Sequence, residues 1–427
     1  MAEIFLKRTR KRRIEAGHPW VFRSEVDHVK GEPGAGDRVV VRNHQGHFLA
    51  QGFYHPQSQI AVRVASYDES EPLDQGWLRR RVTEAWSLRK RFLPGVGACR
   101  AVYGEADGLP GLIVDKYGAV AVVQILSSAL DGRRESLPAV LRDVLGVTAV
   151  YERSDAHARE LEGLEPRRGW LLGDGPQEVE ITENGLRFFV DVVDGQKTGH
   201  FFDQRDNRRA LAPLVRWGAA ERPRPDQRFR EGSTSEGGAP GASASDGGRV
   251  GAQVLDCFAH TGAFSVYALH YGAAHATVVD ISEQAIGAAR RNLAANGCAD
   301  RSLCVVANAF DLLREYEREK REFDVVVLDP PAFAKNRAAI ESALRGYKEI
   351  NLRGMRLVRD GGFLVTASCS SPISREVWLD TILDAAIDAR KLVRRVELGF
   401  AAKDHPVLAA MPENDYLKFA AFEVRSR

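Results

Sequence analysis

Four short stretches between Val254 and Ser371 carry side chains suited to handling a small polar ligand and a reactive carbon. They are VLDCFAHTGAF (Val254–Phe264) with Asp256 and Gly262, VVDIS (Val278–Ser282) with Asp280, VVVLDPPAF (Val325–Phe333) with Asp329, and FLVTASCSS (Phe363–Ser371) with Cys369. A carboxylate can accept hydrogen bonds from a pair of hydroxyls, and a thiolate can add to an electron-poor carbon. Each group stands where a β-branched apolar run gives way to a loop. The stretches between them, such as EQAIGAARRNLAANG, have helical composition. Alternating buried strands and helices imply a doubly wound parallel sheet, whose ligands sit at the carboxyl ends of the strands. All four loops should therefore line one crevice.

The first loop says what kind of ligand. A dinucleotide site needs G-x-G-x-x-G so that a pyrophosphate can approach the backbone. Here a single glycine, Gly262, precedes a helix starting near Phe264, which argues against NAD or FAD. One glycine lets the loop pass close to a smaller ligand without phosphate. Asp280, ending the second strand, is placed to accept from two ribose hydroxyls. S-adenosylmethionine, with a ribose and no phosphate, fits both observations. Asp256, Phe258, Thr261, Gly262 and Asp280 are the candidate cofactor residues of this half. The plainer alternative makes Asp256 and Asp280 ordinary capping or turn residues.

In the third stretch Asp329 and Pro330 follow the strand VVVL, and the two prolines fix a rigid extended loop that can hold a carboxylate against a planar base. Enzymes that methylate amino groups usually place an aromatic directly after the prolines. Here Ala332 takes that place and Phe333 comes one later, which weakens an exocyclic-amine reading without removing it. Cys369 lies in Ser368-Cys369-Ser370. Carbon 5 of a pyrimidine cannot attack a methyl sulfonium unaided, and a thiolate adding to carbon 6 makes it enamine-like. The alternative for Cys369 is a small buried hydrophobe. Cys257 and Cys304 lie inside strands and suit packing, and Cys99 and Cys298 have no chemical context.

Upstream, residues 1 to about 70 alternate in short runs (DRVVVRN, HFLAQGFY, QIAVRVAS), as in a small β-barrel. Trp77–Phe92 has the helical spacing Leu78, Val82, Ala85, Trp86. Strands are expected around GLIVDKYGAVAVVQIL, a helix near Arg134–Leu145, and more strands to about Val193. Asp203 is the expected N-cap of the helix QRDNRRALAPLVRW, with Asp206 at its third position. Arg205 in its first turn would meet the cofactor's carboxylate, or be a surface arginine. Ala219–Gly251, rich in Gly, Ser, Pro, Ala and Arg, is too poor in apolar residues to offset its ordering entropy and reads as a disordered surface excursion.

The 427 residues suffice for two or three domains. No apolar run is long enough to span a membrane, and the amino terminus lacks a signal core. Five cysteines without metal-ligand spacing suit the reducing cytoplasm and offer no metal site. With a net charge of +2, nucleic-acid binding would depend on local patches. KRTRKRR supplies Lys7, Arg8, Arg10, Lys11, Arg12 and Arg13, directly before GHPWVF, and LRRRVTEAWSLRKRF (Leu78–Phe92) supplies a second patch that is equally well a solvated face.

The motifs GHPWVFRSEV (Gly17–Val26), GLPGLIVDKYG (Gly108–Gly118), QKTGHFFDQRDNR (Gln196–Arg208), DCFAHTGAF, DPPAFAK, SCS and DHPVLAAMPENDYLK (Asp404–Lys418) span nearly the whole chain. Together they resemble the RlmI-type family of ribosomal RNA large-subunit methyltransferases, which form 5-methylcytosine. The resemblance implies an α/β protein with an amino-terminal β-rich PUA-like barrel (1–70), a central mixed α/β domain (71–193) and a carboxyl-terminal Rossmann-like methyltransferase domain (194–427) carrying the insert at about 219–251. It implies S-adenosylmethionine as cofactor, Cys369 as nucleophile, Asp329 orienting the cytosine, and large-subunit (23S) ribosomal RNA as partner, with Lys335 of DPPAFAK joining the RNA-binding set. No membrane or metal is expected, and a homodimer stays open. One position departs: the family commonly has Asp where this chain has Asn308, whose side-chain carbonyl can still accept from an adenine amino group. A methyltransferase acting on a base nitrogen and a non-catalytic RNA-binding assembly protein remain the alternatives.

Overall fold

The computed structural model describes residues 1–8, 12–220 and 251–427; Arg10, Lys11 and nearly all of the Ala219–Gly251 segment lie outside them. The described chain forms two compact units, Met1–Arg205 with Phe400–Tyr416, and Asp206–Gly399 with Leu417–Arg427.

The first unit begins with β1 (Ala2–Leu6), β2 (Trp20–Phe22), β3 (Val26–Lys30), β4 (Arg38–Arg42), β5 (Phe48–Tyr54) and β6 (Ile60–Ser66), in sheet order β2-β6-β5-β4-β1-β3. Alternation dictates the inside: Val39 and Val41 of β4 are fully buried with Ile4, Val21, Ala50 and Val62, while Arg38 and Arg42 stay at the rim. Between β4 and β5 the Asn43 side chain accepts from the amides of Gln45 (2.9 Å) and His47 (3.0 Å), an Asx turn.

Helix α1 (Gln75–Phe92) starts where Asp74 accepts from the Trp77 amide at 2.9 Å. Leu78, Val82 and Ala85 are buried as their spacing predicts, and Trp77 packs edge-on to Phe53 at 5.4 Å. Then follow β7 (Ala98–Tyr103), β8 (Leu112–Tyr117), β9 (Val120–Ile125), α2 (Ser128–Asp131), α3 (Leu137–Leu145), β10 (Ala149–Ser154) and β11 (Arg167–Leu172), in sheet order β11-β10-β9-β8-β7. β12 (Glu178–Glu183) and β13 (Leu186–Asp191) form a separate hairpin.

The expected helix capped by Asp203 is not formed as such. A 3-10 turn (Phe202–Gln204) leads into α4 (Arg205–Arg209) and α5 (Leu211–Ala220). Tertiary bonds override the local cap: the buried Asp203 carboxylate accepts from the Tyr416 hydroxyl, and its carbonyl accepts from the Ala402 amide at 2.8 Å. Asp206 thus stands second in α4, not third.

In the second unit strands and helices alternate: β14 (Gln253–Cys257), α6 (Ala263–His270), β15 (His275–Asp280), α7 (Glu283–Ala295), β16 (Ser302–Val306), α8 (Ala309–Arg318), β17 (Phe323–Leu328), α9 (Ile340–Leu357), β18 (Val358–Ser368), α10 (Arg375–Ala389), β19 (Lys391–Gly399) and β20 (Lys418–Ser426). The seven-stranded order is β16-β15-β14-β17-β18-β20-β19. β14 to β18 run parallel, and β20 is antiparallel to both its neighbours. The parallel strands are β-branched and enclosed; β17 is buried along its whole length. A Cβ at Gly354 would lie 2.9 Å from a Leu364 methyl and 3.0 Å from a Leu328 methyl, so that glycine lets α9 settle onto β17 and β18.

Trp77 is fully buried in the core shared by α1, β8 and β9. Trp77→Ala should destabilise the first unit by about 3–5 kcal/mol. Hydrogen exchange in α1, β8 and β9 measures it, and unchanged protection there would contradict this account of the core.

Candidate active site

β14 and β17 are parallel neighbours at the centre of the sheet, with β15 beyond one and β18 beyond the other. This is a topological switch point, where the outgoing connections diverge and leave a crevice at the carboxyl ends. Asp256 and Phe258 stand at the end of β14, Asp280 at that of β15, Asn308 just past β16, Asp329 just past β17 and Cys369 just past β18. The sequence-predicted residues of this unit therefore share one edge of one sheet.

The loop after β14 is conformationally demanding. Phe258 (φ 61°), His260 (φ 49°) and Gly262 (φ 74°) are all left-handed. Asp280 holds it from the side: one carboxylate oxygen accepts from the His260 amide (2.8 Å), the other from the Ser282 amide (2.9 Å). Asp280 is half-buried, and each oxygen keeps a lone pair for a further donor. Asn292 of α7 donates to the Thr261 carbonyl at 2.9 Å. A Cβ at Gly262 would lie 2.9 Å from the Ala289 methyl, so the missing side chain admits α7; the sequence reading had it admit the ligand.

Asp256 was expected to touch the cofactor, but its side chain is fully buried below the loop. It accepts from the Ser265 amide (3.1 Å) and hydroxyl (2.6 Å), tying β14 to the first turn of α6. Burial pushes its carboxyl up to about 7, with the Ser265 bonds opposing and the Asp280 charge adding to the rise.

The aromatic wall beside the loop is Phe258, Phe310 and Phe333, with centroids 5.9–6.5 Å apart, and Phe333 rests on Tyr347 at 4.7 Å. The ring displaced by one residue from the proline pair thus completes this cluster. The Asp329 amide points to the Cys257 carbonyl (3.4 Å), and its side chain is half-buried; Pro330 is buried and Lys335 exposed. Asn308 is exposed and caps α8 through the Phe310 amide at 2.9 Å, leaving its carbonyl one lone pair.

Cys369 is half-buried, its Sγ 4.0 Å from the Pro330 carbonyl oxygen. Both flanking serines are fully buried and share one brace. Ser368 Oγ donates to the Tyr347 hydroxyl (2.9 Å), that hydroxyl pairs with Ser370 Oγ (2.9 Å), and Ser370 Oγ accepts from the Ala334 amide (3.0 Å). Cys99, Cys257 and Cys298 are buried; burial pushes Cys99 up to about 12 and raises Cys257, Cys298 and half-buried Cys304. Ser265, Asn292 and Tyr347 were missed from sequence; nothing in their local pattern announces a partner far along the chain.

Arg205 is not where its helix position suggests. Its side chain is almost wholly buried in the first unit, donating to the Ala98 carbonyl (2.6 Å) and paired with Glu183 and Asp404 (both 3.4 Å). A guanidinium so committed is neither a surface arginine nor a ready partner for a cofactor carboxylate. In the basic run, Lys7 donates to the Ser24 carbonyl (3.0 Å), Arg13 lies over Phe22 (4.7 Å) and pairs with Glu25 (3.5 Å), and Arg8 and Arg12 are exposed. Among the described residues, no cluster of His, Cys, Asp and Glu could hold a metal ion, and no helix is long and apolar enough to cross a membrane.

A switch-point crevice on a seven-stranded Rossmann-like sheet, preceded by a small β-rich unit, defines a methyltransferase-like α/β protein. Residues 4–67 match the PUA-like domain family, and residues 245–363 match the family described as Conserved hypothetical protein 95. The chain is 38% identical over 426 residues to Ribosomal RNA large subunit methyltransferase I of Alteromonas mediterranea, covering 99% of each. It is 39% identical over 420 residues to the protein of the same name from Shewanella denitrificans, covering 97% of each. The chain belongs to the ribosomal RNA large subunit methyltransferase I family. The fold is shared with "A putative sam-dependent methyltransferase from Streptococcus mutans" (TM-score 0.77, 18% identity, 99% of this chain and 100% of that one). A second such chain, solved as a complex with SAH, gives a TM-score of 0.78 at 19% identity over 99% of this chain and all (100%) of that one.

The raised carboxyl of Asp256 links loop and pH. Its folded pKa lies above the unfolded value of about 3.9, so the native state holds the proton longer and this group's contribution to stability falls as pH rises from about 4 to about 7. Asp256→Asn abolishes the titration. The stability difference between variant and wild type should move toward the variant by on the order of 2–4 kcal/mol between pH 4 and pH 8. Denaturant unfolding across that range reads it, and a pH-independent difference would refute an enclosed Asp256.

Proposed function

We propose that the protein methylates carbon 5 of a cytosine in large-subunit ribosomal RNA, with S-adenosylmethionine as methyl donor and Cys369 as nucleophile. The observation that carries this reading is the half-exposed Cys369 beside the Pro330 carbonyl, just past β18, the neighbour of the strand β17 that Asp329 follows. The curated relatives bear the ribosomal RNA methyltransferase name over nearly their full length, which supports the substrate class.

The residues fit the cofactor. Asp280 has accepting capacity at the strand end for a ribose diol, Asn308 offers a carbonyl to an amino group, and Phe258 supplies a flat apolar surface. Bound there, S-adenosylmethionine supplies an electrophilic methyl group. Thr261 and Gly262 shape the loop, with Asp256 beneath it. Asp329 and Pro330 hold the edge of the base.

The Cys369 thiolate forms a bond to carbon 6, and the displaced electron pair makes carbon 5 nucleophilic. After carbon 5 is methylated, loss of its proton returns an electron pair to the ring and expels the sulfur as thiolate. Lys7, Arg8 and Arg12 of the amino-terminal run and Lys335 beside the proline loop attract phosphates; Arg10 and Lys11 belong to the same run, and Arg13 braces it on Phe22.

Two measurements test this. Asp280→Ala should weaken S-adenosylmethionine binding by roughly 1–3 kcal/mol, the worth of charge-assisted hydrogen bonds, and unaltered affinity by calorimetry would remove Asp280 from the cofactor site. Cys369→Ser replaces the thiolate by a hydroxyl that stays protonated at neutral pH. Single-turnover methylation should fall by several orders of magnitude while cofactor and RNA affinities hold, because the sulfur acts in the transition state. Near-normal turnover would exclude the carbon-5 mechanism and favour methylation at a base nitrogen.

A further inference from the structure

We propose that Lys418 is a positioning residue for Cys369: its buried ammonium fixes the chain that follows the cysteine and keeps positive potential beside the sulfur. This rests on the reading of Cys369 as the nucleophile. Lys418 opens β20 directly opposite Ser368 of β18 and is 2% exposed. A lysine leaves water at a large cost unless its ammonium is hydrogen-bonded, so its burial beside this strand end requires dedicated acceptors.

Those acceptors lie just beyond the cysteine. Nζ donates to the Ser370 carbonyl at 2.9 Å and to the Ile373 carbonyl at 3.0 Å. The Ser370 carbonyl also accepts from the Ile373 amide (3.2 Å), closing the turn on itself. Lys418 therefore grips Cys369 from both sides, through its ladder partner Ser368 and through the turn starting at Ser370. Carbonyl dipoles solvate an ammonium without cancelling its charge, and a buried charge is weakly screened.

Four other titratable groups stand on neighbouring elements. Arg375, half-buried at the start of α10, donates to the Leu417 carbonyl (3.3 Å) and the Gly399 carbonyl (3.0 Å). The Tyr347 hydroxyl of α9 is held above its ordinary value by burial and stays neutral near pH 7. Asp329, just past β17, is half-buried and as a carboxylate would oppose a thiolate, and Lys335 is exposed. Lys418 is the fully buried cation of this set, held on the carbonyl of the residue after Cys369, and positive potential near a cysteine favours the thiolate, the form that attacks.

Iodoacetamide alkylation of the full chain, without RNA or methyl donor, resolves the idea when each cysteine is followed by mass spectrometry against pH. In the wild type, Cys369 should react at pH 7 about tenfold faster than half-buried Cys304, whose thiol is raised by burial. Lys418→Met keeps much of the length and removes the charge. It should slow Cys369 about five- to tenfold at pH 7 and shift its pH profile upward, leaving Cys304 unchanged. Lys418→Arg should restore most of the rate. An unshifted profile in Lys418→Met, or faster reaction at all five cysteines, overturns the proposal, the latter marking a purely structural lysine. If Lys418→Met does not fold, the wild type decides, since a Cys369 no faster than Cys304 overturns it too. Full methyl transfer by Cys369→Ser would instead overturn the nucleophile reading and leave the alkylation result standing.

Discussion

Within five residues, the loop from Phe258 to Gly262 visits the left-handed region three times, twice with side chains that disfavour it. Each such non-glycine residue costs on the order of 1–3 kcal/mol and persists only where its surroundings over-determine it. The surroundings do so from three elements. Asp280 on β15 takes the His260 amide, Asn292 on α7 takes the Thr261 carbonyl, and Asp256 on β14 takes Ser265 of α6. Ala289 occupies the space left by Gly262. Sheet order and strand register thus matter to the site because they set these clamps at the right height, and the strained loop is what turns a strand end into a shaped crevice.

That dependence explains what the sequence could and could not reveal. Strand ends were legible, because β-branched runs stopped by Asp, Gly, Pro or Cys have a local signature; Asp280, Asp329 and Cys369 fall where the pattern put them. Depth was not. Asp256 and Asp280 look alike in sequence, yet one is sealed under the loop and the other is half-open, a difference made by α6 and α7 packing over them. The brace around Cys369 was invisible for the same reason, since Tyr347 lies on α9, remote from Ser368 and Ser370 in the chain.

The first unit shows the limit more sharply. The motifs QKTGHFFDQR and DHPVLAAMPENDY stand far apart in sequence but converge in one buried polar cluster. Thr198 donates to Asp115 at 2.5 Å, and Asp115 pairs with Arg100 at 2.8 Å. Asp404 accepts from the Arg100 amide at 3.0 Å and from His405 at 3.0 Å, and its carbonyl accepts from Arg89 at 2.9 Å. Burial opposes ionisation of Asp203 and Asp404, but His405 and the neighbouring cations and donors win, and both stay below the ordinary carboxylate range. Arg205 belongs to this cluster, which is why reading it from its helix position alone misassigned it. Breaking one partner of such a set strands a buried charge, a far larger penalty than the pair's own net worth.

The five cysteines make the same point about environment over identity. Cys257 is the last residue of its strand and Cys369 stands one residue beyond its own, and that step sets their burial apart. At the end of β14 the thiol is buried in the apolar core against the sheet, and burial drives its ionisation up. Just past β18, the backbone of Cys369 is pinned by serines on either side, while the sulfur itself approaches the mouth of the proline loop. Rigid backbone with an accessible sulfur is what covalent catalysis asks of a nucleophile, because positional freedom lost in folding need not be lost again in the transition state. A cysteine one residue earlier would face the core and pack. The register of β18 against β17 and β20 therefore sets Cys369 just past the strand end, and the chemistry proposed for it is in the first instance a consequence of where that strand ends.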